Sequence, residues 1–298
     1  MKVHGVFAPL TTPFDRDESL DLHGLARNLQ GYGAAPLAGY VVAGTTGEGP
    51  QLSDLECEQL VGAAVAAAGG RPVIAQIGRE AVRPTVEMAA RAQAAGAAAV
   101  LVLPPRYYAH RLDAVAAAAA VADFYIAVAD AAALSMFVYH IPQHTGVRLD
   151  PASVARLAAH PRIVGMKDSE GHRERLAAFA SAAPPGWGLL CGSGALVAEA
   201  ARLGVAGAVL GEADVLPFEM CDLWRLAVDG PPQAADGLRS RLEPVRRVLG
   251  RTGIAGIKYA MDLLGFCGGR PRRPLPPLPA AEGAQLADAL REAGCIRF

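Results

Sequence analysis

Eight short apolar runs, each followed by a segment of helical spacing, constrain this 298-residue chain more than any other feature. The runs are 5–10, 38–43, 72–77, 98–103, 135–140, 163–166, 188–191 and 207–210. They are nearly continuous in Val, Ile, Leu and Ala, as expected of parallel strands covered on both faces. The intervening segments 21–33, 53–68, 84–95, 113–129, 151–159, 174–181 and 195–203 read as helices, several of them alanine-rich. Two carry explicit start signals: Ser53 with Glu56 forms a capping box, and Asp150 precedes Pro151 at the first helical position. Gly96 is a C-terminal stop for the third helix. Serial βα units with short connections predict a parallel sheet closed into a (β/α)8 TIM barrel. A doubly wound open sheet is the alternative, and it normally has fewer units.

After the eighth run the pattern changes. Segments 218–227, 232–249, 256–264 and 279–293 read as helices with no strand between them. They predict a C-terminal helical region, 218–298, packed on a barrel of residues 1–217. The proline-rich stretch 270–279 reads as an extended connector laid on the surface, with an SH3-type ligand as the competing interpretation.

A chain with 52% hydrophobic and 19% charged residues can build a core of this size. A net charge of −1 leaves no electrostatic footprint for nucleic acid or an anionic membrane. The longest apolar region, 115–139, is interrupted by Asp123 and Asp130 and reads as helix, loop and strand, not as a membrane span. Five widely spaced cysteines with no C-x-x-C predict free thiols in a reducing cytoplasm. The N-terminus lacks the apolar region of a signal peptide.

Catalytic residues of such a barrel belong at the C-terminal ends of its strands. Polar residues there are Thr11, Thr12, Thr45, Thr46, Glu48, Arg79, Tyr107, Tyr108, Tyr139, His140 and His144. Lys167, Asp168, Ser169, Ser193, Glu212 and Asp214 complete the set. Lys167 stands out because the chain holds only three lysines, Lys2, Lys167 and Lys258. Arginine cannot form an imine, and a desolvated lysine can. Lys167 is therefore a candidate Schiff-base nucleophile. A strand-end lysine reaching to solvent is the ordinary alternative. The Gly44–Glu48 turn GTTGE can offer hydroxyls and N–H groups to a carboxylate, or simply cap the next helix. Tyr139 can move a proton at bound substrate, or serve as a core aromatic. His140 and His144 do not share a helical face, so the pair is not read as a zinc site, and no metal or organic cofactor is expected.

Taken together, GTTGE at Gly44–Glu48, PPRYY at Pro104–Tyr108, YHIPQHTG at Tyr139–Gly146 and GMKDS at Gly165–Ser169 resemble the dihydrodipicolinate synthase / N-acetylneuraminate lyase superfamily. The likeness runs from the APLTTPF opening to the run around Lys258. The resemblance implies a (β/α)8 barrel with a C-terminal helical region, usually a tetramer of tight dimers. It implies a Schiff base between lysine and a pyruvate-like 2-oxo acid. By that resemblance Lys167 forms the imine and Tyr139 moves protons. Thr45 and Thr46 hold the 2-oxo acid carboxylate with the Gly47 backbone, and Thr45 links two tyrosines in a relay. Tyr108, or Tyr107 in its place, reaches into the neighbouring subunit's site. His144, Ser169, Gly192 and Val209 fall at substrate-binding positions.

The departures matter. Members that make the lysine precursor resemble YNVPSRTG at the fifth strand, with arginine gripping a second carboxylate. Here His144 replaces that arginine and His140 replaces the asparagine. Histidine cannot make the bidentate fork. GMKDS and PRYY look more like the 4-hydroxy-2-oxoglutarate aldolase and keto-deoxy sugar-acid branches. A pyruvate-dependent aldolase is the leading expectation. The alternatives are a sugar-acid dehydratase, a 4-hydroxy-tetrahydrodipicolinate synthase and a non-catalytic binding barrel.

Overall fold

The computed structural model describes residues 3–112 and 118–296. Eight parallel strands close a barrel in chain order: β1 Gly5–Ala8, β2 Gly39–Val42, β3 Val73–Ile77, β4 Ala99–Val102, β5 Met136–His140, β6 Ile163–Asp168, β7 Gly188–Cys191 and β8 Gly207–Val209. β1 and β8 close it through Gly5↔Gly207, Val6↔Ala208 and Phe7↔Val209. Glycine is required at such contacts: a Cβ on Gly207 would meet the Gly5 backbone.

Side chains alternate across the barrel wall. Phe7, Val41, Ile74, Leu101, Phe137 and Leu190 fill the interior as one buried cluster. Val6, Val42, Val100, Val138 and Met166 point outward into a second cluster shared with the helices. Tyr139 belongs to the interior set and His140 does not, so one residue step separates the barrel mouth from the outer shell.

The surrounding helices are α1 Leu22–Gly31, α2 Asp54–Ala67, α3 Val82–Ala94, α4 Ala109–Leu112, α5 Ala118–Ala131, α6 Pro142–Thr145, α7 Pro151–Ala158, α8 Arg173–Ala182, α9 Val197–Arg202, α10 Pro217–Asp229, α11 Pro232–Leu263 and α12 Ala280–Glu292. The expected caps form. The Glu56 amide donates to Ser53 Oγ at 3.2 Å, and the Ser53 amide donates to Glu56 Oε2 at 2.8 Å. The Ser153 amide donates to Asp150 Oδ1 at 2.7 Å. The segment expected to begin at Asp113 is helical from Ala118 onward, and Asp113 lies outside the described residues.

Two expected helices, 232–249 and 256–264, differ in the structure. They form one long element, α11, bent where Gly253 takes φ 58° and ψ −139°. Only glycine adopts that conformation without strain, so the bend is written into the sequence as a single residue. Pro244 lies further up the same helix. The proline-rich connector between α11 and α12 is laid on the barrel surface. Arg272 pairs with Glu56 at 2.6 Å and sits over the Phe14 ring at 4.2 Å, while Arg273 pairs with Glu18 at 2.6 Å. No helix among the described residues is long and apolar enough to cross a membrane.

Candidate active site

β5 and β6 run in a register that sets Tyr139 beside Lys167 and His140 beside Asp168. Tyr139 and Lys167 face inward, and Lys167 Nζ donates to the Tyr139 hydroxyl at 3.1 Å. The Tyr139 hydroxyl in turn lies 3.3 Å from Thr45 Oγ1. Lys167 is 5% exposed and Tyr139 1%, so both groups meet in a desolvated floor. Burial pushes the Tyr139 phenol up, but the Lys167 ammonium and hydrogen bonds from Thr45 and Lys167 outweigh it. The net effect holds the phenol below its ordinary value. A phenol of that kind gives and regains a proton readily next to an amine.

The Thr45 loop is held under strain. Ala43 at φ 55° and Glu48 at φ 58° bracket the Gly44-Thr45-Thr46-Gly47 turn in left-handed backbone. Glu48 compensates by reaching away from the mouth. Its carboxylate pairs with Lys258 at 2.5 Å, both side chains being fully buried, and accepts the Arg272 amide at 2.7 Å. Lys258 Nζ also donates to the Arg270 carbonyl at 3.0 Å and lies 4.6 Å over the Phe14 ring. Of the two buried lysines, then, Lys258 is structural. Thr12 is structural as well: its hydroxyl donates to the Gly47 carbonyl at 2.6 Å.

A cavity of about 280 Å³ opens above the floor. Thr45, Thr46, Tyr139, His144, Lys167 and Ser169 line it, with Gly192 and Val209. The structure thus brings together eight of the residues expected from sequence in one space. Gly47 lies in the same turn, although the lining stops at Thr46. Tyr108 lies elsewhere. It is 63% exposed, packs edge-on against Tyr107 at 5.0 Å, and does not reach the cavity within this chain. Both tyrosines stand on a loop fixed by Glu80, whose Oε2 accepts the Arg106 and Tyr107 amides at 2.9 Å each.

Other expected mouth residues face different spaces. His140 is buried against Phe179 of α8, and its Nδ1 lies 2.7 Å from Asp168 Oδ1. The two histidines of the H-x-x-x-H string are thereby split, His144 to the cavity and His140 to the shell. Glu170 lies near His140 and Asp168 and is engaged by Arg148 at 3.1 Å and Arg175 at 2.6 Å. Arg79 pairs with Asp54. Asp214 is fully buried with neither carboxyl oxygen hydrogen-bonded, and burial pushes it well above its ordinary value.

The C-terminal region supplies lining that the strand-end rule does not reach. Leu249, Gly250, Gly253 and Ile257 of α11 roof the cavity, and Pro9, Ile141, Gln143 and Glu212 complete it. The left-handed bend at Gly253 falls on this stretch. The spacing Gly250–Gly253 was the available signal in the sequence, since small residues let backbone approach a ligand closely.

The chain matches the Dihydrodipicolinate synthetase family model over residues 2–293. It is 32% identical over 296 residues to the 4-hydroxy-tetrahydrodipicolinate synthase of Methylococcus capsulatus, covering 99% of this chain and all of that one. It is 36% identical over 296 residues to an uncharacterised DapA-like lyase of Halobacterium salinarum, covering 99% of this chain and 95% of that one. The fold superposes on the chloride-inhibited dihydrodipicolinate synthase of Acinetobacter baumannii complexed with pyruvate with a TM-score of 0.92. That pair is 27% identical, over 99% of this chain and 100% of the other. With barrel, buried lysine and threonine turn in place, the chain belongs to the dihydrodipicolinate synthetase family and is a carbon–carbon lyase of the lysine-imine type.

Proposed function

We propose that this enzyme is a pyruvate-dependent aldolase that cleaves or forms a 4-hydroxy-2-oxo acid through an imine on Lys167. The observation that carries the reading is the buried line Lys167–Tyr139–Thr45, with steps of 3.1 and 3.3 Å, at the floor of the cavity.

The neutral Lys167 amine adds to the C2 carbonyl of the substrate. Tyr139 passes a proton to the departing oxygen, water leaves, and an iminium remains. The 4-hydroxyl then loses its proton, the C3–C4 bond breaks, and its electron pair flows into the iminium as an enamine. An aldehyde departs. Protonation at C3 and hydrolysis of the imine release pyruvate and restore Lys167. Run backwards, the same steps form the bond. Thr45 and Thr46, on the strained turn, hold the 2-oxo acid carboxylate so that C2 meets the amine.

A second reading is 4-hydroxy-tetrahydrodipicolinate synthase, condensing pyruvate with aspartate semialdehyde. The printed name of the Methylococcus relative supports it. Against it stands His144 in place of the arginine that would grip the second carboxylate, in a cavity whose lining includes no arginine among the described residues. Turnover of pyruvate with neutral aldehydes, glyoxylate and aspartate semialdehyde separates the two. Preference for a neutral aldehyde or glyoxylate supports the aldolase, and efficient turnover of the semialdehyde overturns it.

The same reading makes the enzyme a cytoplasmic homotetramer. Its five cysteines are free thiols, which suits a reducing compartment. The exposed Tyr107–Tyr108 pair supports an interface that delivers Tyr108 to the neighbouring subunit's Tyr139 and Thr45. Sedimentation of the wild type against Tyr108→Ala tests the assembly, and a monomeric wild type would contradict it.

A further inference from the structure

The mouth carries an acid that imine chemistry does not use. Glu212 follows β8 in the tight turn Gly211–Asp214 and lines the same cavity as Lys167. The side chain has been given room: a Cβ on Gly194, in the loop after β7, would run into the Glu212 carboxyl. The charged group acting on it is Arg246 of α11, and that arginine is already held by Glu243 at 2.7 Å. Glu212 therefore stands in the cavity wall without a dedicated cation.

The rest of the distal lining has the same character. Among the described residues the cations that line the cavity are Lys167 and, when protonated, His144. Lys167 gives up its charge as an ammonium when it forms the imine. Gln143 is occupied, donating to the Ser169 carbonyl at 2.6 Å. The Ser169 hydroxyl is buried without a hydrogen-bond partner. A second carboxylate entering here would face a glutamate, one histidine and no arginine fork. A hydroxyl would find a carboxyl and an unpartnered hydroxyl, each able to complete a hydrogen bond.

We propose that Glu212 is a specificity-determining residue that hydrogen-bonds a hydroxyl on the distal chain of the substrate, selecting neutral hydroxylated 2-oxo acids over dicarboxylates. The inference rests on the Schiff-base reading for the direction in which the distal chain points. Burial pushes the Glu212 carboxyl above its ordinary value, so near the acid end of the working range it donates as well as accepts.

The test is calorimetric binding of 2-keto-3-deoxygluconate and of 2-oxoglutarate to wild type, Glu212→Gln and Glu212→Ala, with borohydride trapping run on each. The wild type is expected to bind the hydroxylated acid at least about 10-fold more tightly than the dicarboxylate, the scale of one well-made hydrogen bond plus relief of repulsion. Glu212→Ala is expected to lose that preference, and Glu212→Gln to keep most of it, because an amide still bonds a hydroxyl. Imine trapping is expected to be unchanged in both. Equal affinity for the two acids in the wild type, or an equal loss of both in Glu212→Ala, overturns the inference. A preference that persists without any trapped imine would instead overturn the Schiff-base reading and leave the specificity role of Glu212 standing.

Discussion

Glu48 and Lys258 form a fully buried ion pair at 2.5 Å that ties the turn carrying Thr45 and Thr46 to the far end of α11. Burial pulls the Lys258 amine down while Glu48 pulls it up, and the desolvation wins. Removing one partner leaves an unpaired buried charge, which costs about 3–5 kcal/mol. Lys258→Met is therefore predicted to lower stability to denaturant by that amount. Glu48→Gln/Lys258→Met is predicted to recover part of the loss. Urea melts of the three proteins check it, and a double variant worse than either single one would refute the pairing.

Tyr139 gives a spectroscopic prediction. Its phenol is held below the ordinary tyrosine value because Lys167 and its hydrogen bonds outweigh burial. Removing the ammonium leaves burial, which acts in the opposite direction. In the ultraviolet titration, the phenolate signal that disappears in Tyr139→Phe should ionise below about 10 in the wild type and above it in Lys167→Met. An unchanged midpoint in Lys167→Met would show that the amine does not set the phenol.

The same contact predicts kinetics. Tyr139→Phe keeps the ring that fills the barrel and removes the group that moves protons. The expected loss in kcat is about 100-fold or more with folding retained. Thr45→Val removes one hydrogen bond to that phenol and should lose less. A near-normal rate in Tyr139→Phe would exclude it from proton transfer.

Asp214 predicts a pH effect on stability. Its folded carboxyl titrates well above the ordinary value because burial disfavours the charge. As pH rises past about 3.9, the unfolded chain releases this proton while the folded chain retains it. The folded state is then progressively penalised until Asp214 itself ionises. Asp214→Asn should therefore melt higher than the wild type at pH 7, with a smaller gain at pH 4. Equal melting of both proteins at both values would contradict the burial argument.

The barrel was legible because its signals are local. Eight apolar runs, the Ser53–Glu56 box and the Asp150-Pro151 cap each fix an element within a few residues. Lys167, Tyr139 and the threonine turn were legible because the fold sends strand ends to one mouth. The roof was not. The periodicity of α11 says which face is apolar and nothing about where the helix crosses the barrel, so Leu249 and Ile257 could not be placed over the site. The left-handed bend at Gly253 is one residue long and looks like a helix break in sequence. Tyr108 shows the opposite limit, because a residue that works in a neighbouring subunit is an exposed side chain in its own. His140 and Asp168 point outward by one step of strand alternation, which the letters beside Tyr139 and Lys167 do not announce unless the register is known.

The most direct measurement is mass mapping after incubation with pyruvate and borohydride. The account predicts a reduced three-carbon adduct confined to the peptide that carries Lys167, and its absence in Lys167→Ala. An unchanged mass, or an adduct on Lys2 or Lys258, would contradict it.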